Sequence, residues 1–459
     1  MDILTEITTE LENCSSLFEV EQKILQWAMS LAQEAMKSFL EGLDDQLFSS
    51  RAEEQRVINR QERTVAFALG PVTFNRRYYQ GQGFALDQEL KITPRKRLSA
   101  YYSMMIAKVA QVTTMRNTAM IINLIFNSGV TVDSVMKIVH RLGLQVELDT
   151  IEKEKQVQSR RVPTNLTIEG DAFALKLKTS QGHPAGLVDV HHLRVYEQDV
   201  NHRFNCHDFL SLGKLESLKD RVKNYLDTHY RLNGQTIFLG SDAGPGYQPE
   251  SMLDLVPINA HGEYILDRYH CLRKIENSLG RSNPLTHKAC QALCDHDLSR
   301  LTAVLDTQAS LDLSTQQAEA LTRLRSYLDR NWDYTTLPKD RGYNAKIRLG
   351  SVESSHRAFT YRMKKQGKSW SKVGAEAMLG LIEARLNKTL LESLESLLKQ
   401  ETPVNQALVS AASEKTSMNL RPYLRKSPLK PSCGAHHGRI ILNGPASSPI
   451  GYLAHILNA

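Results

Sequence analysis

The sequence predicts an α/β protein in which a mainly helical N-terminal region, interrupted by a short β-hairpin, precedes an α/β sheet domain with a helical insertion. Three observations predict it. Apolar residues recur at helical spacing over the first 50 residues and again over residues 99–144. Strand-like runs separated by turn residues begin near residue 160 and alternate with a helix. Residues 270–340 then read as helical without any strand signal.

Taken in order, Leu17, Val20, Ile24, Trp27, Leu31, Ala35 and Phe39 mark one face of an amphipathic helix or helix pair on an acidic background. Residues 64–79, TVAFALGPVTFNRRYY, are two β-rich runs broken by Gly70-Pro71, a short hairpin. Its second arm carries Arg76 and Arg77, which either meet nucleic acid or sit solvated on an edge strand. The basic stretch KITPRKR, with Arg95, Lys96 and Arg97, leads into a helix ending near Phe126, a turn through Ser128-Gly129, and a second helix from about Thr131 to Leu142. That outline suits a helix-turn-helix, with Lys137 and Arg141 on the second helix, although any helical hairpin shares it. Two strand runs, TNLTIEGDAFALKLK and AGLVDVHHLRVY, are followed by the helix LESLKDRVKNYLDTHY and the segments QTIFLGSDAGPG and GEYILDRYHCLRKI. A last helix follows Gly350, and after about Thr402 the Pro, Gly and Ser content suggests a flexible basic tail.

The chain has 459 residues, 57 Lys+Arg and 50 Asp+Glu, a formal charge of +7. The first 50 residues hold ten acids against Lys23 and Lys37, so everything after them carries +15, as expected of a phosphate-backbone binder. Residues 121–126, the longest apolar run, fall far short of the roughly 20 residues of a membrane span, so no membrane association is expected. The acidic start does not read as a signal peptide. Six cysteines in such a length are too sparse for a disulfide framework, which points to a reducing cytoplasm.

Three carboxylates stand where a sheet domain presents side chains at one edge: Asp171 within the first strand run, Asp242 directly after the strand at 236–239, and Glu353 at the start of the last helix. Together they suit two Mg²⁺ ions about 4 Å apart, with Mn²⁺ as the alternative. Singly, each also has an ordinary reading as a turn or first-turn acid. Asp267 and His270 lie at a strand end nearby, able to orient DNA or a water, or to form a plain core pair. A zinc set drawn from His270, Cys271, His287, Cys290, Cys294 and His296 fits no common finger spacing. Residues 357–372 carry Arg357, Arg362, Lys364, Lys365, Lys368 and Lys372 without an acid, which points to DNA contact beside the third carboxylate. Trp370 there can stack on an unpaired base or be buried.

The segments IEGDAF, FLGSDAG, ILDRYH and GSVESSHRAFTYRMKKQGKSWSKVGAE resemble the ISLre-type family of bacterial insertion-sequence transposases, distantly Mutator-like. LGPVTFNRRYY and the helix pair after it also resemble that family's layout, so the likeness spans about residues 60–390. Ser241 before Asp242, Ala243 after it and Tyr247 nearby depart from the family's usual Gly-Asp-Gly-Ala and Trp. The resemblance implies a ribonuclease-H-like mixed sheet, metal-binding roles for Asp171, Asp242 and Glu353, and Mg-dependent cleavage and strand transfer at element ends. It also implies double-stranded DNA as partner, a homo-oligomer assembled on it, and a place at the bacterial nucleoid. Asp267 and His270 resemble the Asp-x-x-His motif of Mutator-like relatives. The rival readings are a non-catalytic DNA-binding protein derived from a transposase and a metal-dependent nuclease. The expected division is an acidic helical segment (1–60), a hairpin and helix-turn-helix-like DNA-binding region (61–150), the first part of the core (160–270), a helical insertion (271–340), the last core helix with the third acid (341–400), and the tail (401–459).

Overall fold

A computed structural model describes residues 11–92, 94, 96–156, 159–179, 181–343, 347–365 and 368–424. The chain forms two compact units, one of residues 1–63, 72–86 and 404–459, the other of residues 64–71 and 87–403. In the first unit, α1 (Leu17–Ser49) begins at Ser16, whose side chain accepts a hydrogen bond from the Glu19 N–H. It packs against α15 (Gln406–Leu424), the two backbones coming close where Gly42 faces Ala412. The tail expectation is therefore corrected for residues 406–424. Apart from Pro403 and Pro422, the Pro and Gly residues that suggested it lie beyond Leu424, and residues 406–424 are rich in Ala, Leu and Ser. The strands β1 (Val57–Phe67), β2 (Gly70–Tyr79) and β3 (Gly83–Phe84) form a three-stranded sheet in that order, extending the expected hairpin by one strand.

Helix α2 (Ala85–Glu89) spans the change from one unit to the other along the chain, and the second unit continues with α3 (Ala100–Ala110), α4 (Met115–Phe126) and α5 (Val132–Glu154). Asn127 at φ 45° ends α4, and Thr131 caps α5 by accepting from the Ser134 N–H, so the expected helix pair and its turn are present. The second helix, however, runs to Glu154 instead of Leu142. Its Val135, Ile138, Val139, Leu142 and Val146 are buried, which gives it a core role along most of its length. It meets α13 (Lys372–Leu386) with backbone nearly touching backbone: a Cβ on Gly143 would lie 2.1 Å from the Ala377 carbonyl oxygen, and one on Gly380 would lie 2.6 Å from that of Gly143. Only glycine permits that crossing.

The sheet consists of β4 (Leu166–Lys178), β5 (Pro184–Gln198), β6 (Arg203–Leu212), β7 (Thr236–Ser241) and β8 (His261–Leu266), in the order β6-β5-β4-β7-β8. The β4-β5 and β5-β6 pairs are antiparallel; β7 is parallel to β4, and β8 to β7. Helix α6 (Leu215–His229) connects β6 to β7, and the short α7 (Pro249–Leu253) lies between β7 and β8. Two cores flank the sheet. Phe173, Leu175 and Leu177 of β4 join Val139, Leu142, Met378 and Phe359 on one side. Leu166 and Ile168 join Leu218, Val222, Ile275 and Leu293 on the other. Strand alternation thus sets Glu169, Asp171 and Phe173 on one face.

After β8 come α8 (Arg268–Leu279), α9 (Pro284–Cys294), α10 (Leu298–Ala309) and α11 (Thr315–Asn331), with no strand among the described residues there. The chain returns in α12 (Ser351–Met363), α13 and α14 (Leu390–Glu401). Among the described residues no helix is long and apolar enough to cross a membrane.

Candidate functional site

The site begins with how α12 is held. Gly350 at its N-cap has φ 92°, a conformation open to glycine, and offers no side chain to the first-turn N–H groups. Glu169 of β4 supplies the missing acceptor. Its carboxylate takes hydrogen bonds from the N–H groups of Gly350 (2.9 Å), Ser351 (3.0 Å) and Val352 (3.3 Å). It also accepts one from the Tyr196 hydroxyl, which further bonds the Arg348 carbonyl at 3.1 Å. Glu169 is 4% exposed, so a buried carboxyl group is seated on a helix N-terminus. It fixes Glu353, one turn along α12, relative to β4.

Two residues after Glu169, on the same face, stands Asp171. Its Oδ1 accepts from the Ala172 N–H at 2.7 Å, and its Oδ2 lies 3.4 Å from His356 Nδ1. Burial pushes the Asp171 carboxyl up to about 6; the nearby Asp242 and Glu353 push the same way, against the Ala172 N–H and His270. The His356 ring is held down to about 3 by burial and by His192, so it stands neutral beside Asp171. It stacks on His192 with ring centroids 5.1 Å apart, and His192 Nε2 is 2.7 Å from Asp208 Oδ1.

At the end of β8, Asp267 caps α8, accepting from the Tyr269 N–H at 2.9 Å, and its Oδ2 lies 3.2 Å from His270 Nδ1. Burial opposes ionisation of Asp267, but the hydrogen bond and charge of His270 and the backbone N–H groups outweigh it and hold the carboxyl low. The same hydrogen bond raises the His270 imidazole, against burial.

Asp171, Asp242, Asp267, His270 and Glu353 all line one small pocket, together with Glu169. Within it Asp171, His270 and Glu353 each offer a ligand atom, all within 4.8 Å of one another. The free space between the walls is about 10 Å³, room for one water-sized particle. Asp242 lines the pocket but its carboxylate is engaged elsewhere. Oδ1 accepts from the Gly244 N–H at 2.8 Å, and Oδ2 lies 3.5 Å from Lys274 Nζ. The tight group therefore differs from the trio chosen from sequence, with His270 in the place given to Asp242. Two carboxylates and an imidazole gathered this closely suit a divalent cation of hard or borderline character. A second cavity of about 430 Å³ adjoins, sharing Asp267, Leu349 and Glu353 and walled by Tyr269, Leu337, Pro338 and Gly350. Among the described residues no other group of three His, Cys, Asp or Glu is gathered, so the zinc set drawn from residues 270–296 does not assemble.

The cations expected at DNA divide sharply. Arg77 is buried, its guanidinium 2.5 Å from Asp44 and 2.6 Å from Asp45, and Arg76 is buried with its guanidinium 3.5 Å over the Phe84 ring. Both serve the fold of their own unit, because a desolvated guanidinium needs a carboxylate or an aromatic face. Arg362 is corrected likewise: 4% exposed, it donates from Nε to the Ala110 carbonyl at 2.8 Å and lies over Trp370, and burial lowers it to about 10. Trp370 is buried, donates from Nε1 to the Met363 carbonyl at 2.8 Å, and pairs by its backbone with β4, so it is not free to stack on a base. Lys368 donates to the Arg362 carbonyl at 3.1 Å. Lys364, Lys365 and Lys372 are exposed. Lys96, Arg97, Lys137 and Arg141 line one cavity of about 540 Å³ with Ser103 and Ser134. Arg141 there pairs with Glu401 at 2.5 Å and Lys137 with Asp133 at 2.7 Å. Arg95 and the Arg357 side chain lie outside the described residues.

Glu169, Lys274 and His356 belong to this arrangement and were missed in sequence. For Lys274 a signal existed: it follows His270 by four residues and so shares its helix face.

Residues 10–400 match an uncharacterised protein family, UPF0236. The chain is also similar to the UPF0236 protein in vanSb 3'region of Streptococcus gallolyticus, 28% identical over 465 residues that cover 99% of each chain. With most of its length matched, the chain belongs to the UPF0236 family.

Proposed function

We propose that this chain is a DNA transposase of an insertion sequence, cleaving phosphodiesters at element ends and joining them to a target with a divalent cation, Mg²⁺ or Mn²⁺. The observation that carries the reading is the meeting of Asp171, Asp242 and Glu353, from a central strand, the end of a parallel strand and a helix start, in one pocket. The strand order, with three antiparallel strands followed by two parallel ones, supports a ribonuclease-H-like core.

Asp171, His270 and Glu353 would hold the cation, which when bound supplies Lewis-acid activation and neutralises charge at phosphorus. Glu169 keeps Glu353 opposite Asp171 by capping α12. Exposed Lys364, Lys365 and Lys372 offer phosphate contacts beyond the pocket, positioning the duplex without reading its bases. In the first step a water oxygen bonds to phosphorus, the P–O3′ bond breaks, and O3′ leaves as a hydroxyl. In the second, that hydroxyl attacks a target phosphodiester and expels its O3′. No covalent protein intermediate is required.

The test is the full-length chain incubated with DNA spanning both flanks of its gene. Nicks leaving 3′-hydroxyls at fixed positions in Mg²⁺ or Mn²⁺, abolished by chelation, are expected. Cleavage without positional preference would make it a nuclease, and DNA binding without cleavage would make it a non-catalytic derivative.

A further inference from the structure

Lys274 sits on α8 one turn beyond His270, and three contacts hold its ammonium. Nζ lies 3.5 Å from Asp242 Oδ2, donates to the Asp242 carbonyl at 3.3 Å, and stands 3.9 Å from the centroid of the Tyr327 ring. Tyr327 is fixed in turn, its hydroxyl donating to the same Asp242 carbonyl at 2.9 Å. The side chain is 37% exposed, and its ammonium nevertheless meets a carboxylate, a carbonyl and an aromatic face. Oδ1 of Asp242 accepts from the Gly244 N–H at 2.8 Å, so the ammonium of Lys274 stands on the Oδ2 side of the carboxylate.

We propose that Lys274 supplies the cation on the Asp242 side of the pocket, so that the protein holds one divalent ion tightly, at Asp171, His270 and Glu353, instead of a matched pair. This rests on the reading of the pocket as a divalent-cation site. Two observations converge on it. The tight ligand group of Asp171, His270 and Glu353 leaves Asp242 out, and the Lys274 ammonium already stands against both the carboxylate and the carbonyl of Asp242. A second dication approaching Asp242 meets an ammonium already 3.5 Å from Oδ2, and must displace it or sit beside its charge. Lys274 thereby acts through Asp242, as a positioning residue that neutralises this carboxylate and sets the ion stoichiometry.

The experiment is calorimetric titration of Mn²⁺ into the full-length chain at fixed ionic strength, with bound Mn²⁺ counted independently by electron paramagnetic resonance. Wild type should take one ion per chain. Lys274→Gln should take two, with the second at least about tenfold tighter than any second ion on wild type. Lys274→Arg, which keeps the charge, should match wild type, and Lys274→Ala repeats the charge removal with a smaller side chain should the Gln variant misfold. Two ions of similar affinity on wild type, or a single ion on both charge-removing variants, would overturn the role of Lys274 alone. No ion on wild type, or an Asp171→Asn variant binding as wild type does, would instead sink the reading of the pocket.

Discussion

Asp171→Asn and Glu353→Gln are each expected to slow metal-dependent strand cleavage by about 10³-fold or more, while affinity for the same DNA changes by no more than about twofold. The amide keeps the shape of the carboxylate, so packing against Ala172 and His356 survives, yet it removes the anionic oxygen offered to the cation. Binding draws on cations elsewhere, Lys364, Lys365 and Lys372 among them. Thermal stability without metal should not fall, because the substitution relieves the like-charge crowding with Asp242 that helps raise the Asp171 carboxyl. Rates from single-turnover cleavage, with affinities measured in Ca²⁺ at one salt concentration, decide the matter. A variant that cleaves within tenfold of wild type would remove that residue from the set of ligands.

The second large effect belongs to a residue that touches neither metal nor DNA. Glu169→Ala should cost about 3–5 kcal/mol of stability, because it leaves the first-turn N–H groups of α12 and the Tyr196 hydroxyl buried without their acceptor. Urea unfolding followed by circular dichroism reads this directly. Glu169→Gln retains one acceptor oxygen and should lose less, with cleavage still impaired because α12 is held less firmly. A Glu169→Ala midpoint equal to that of wild type would show that α12 is seated by its other contacts.

Much of the fold was legible because periodicity and turn residues report local structure. The strand runs around Asp171, the turn at Asn127 to Thr131 and the helix at Glu353 follow from alternation, glycine and capping chemistry. What stayed hidden depends on contacts between segments distant in sequence. Glu169 in Glu169-Gly170-Asp171 suggests a turn, and its partners lie some 181 residues away at Gly350. An all-positive run such as residues 357–372 looks like one charged face, yet a guanidinium that finds a helix-end carbonyl and an indole, as Arg362 does, turns inward. The length of α5 was underread because Gly143 looks like a helix stop, whereas here it admits the backbone of α13. Asp242 shows the same limit within the site, since its position after a strand is readable and its capture by Lys274 is not.

The most direct measurement replaces a non-bridging oxygen of the cleaved phosphate by sulfur, one diastereomer at a time, and compares Mg²⁺ with Mn²⁺ on the full-length chain. If an ion held by Asp171, His270 and Glu353 contacts that phosphate, one diastereomer should be cut at least about tenfold more slowly in Mg²⁺ and recover in Mn²⁺, the softer ion, which tolerates sulfur. Equal rates for both diastereomers in both metals, or cleavage that persists in chelator, would contradict it.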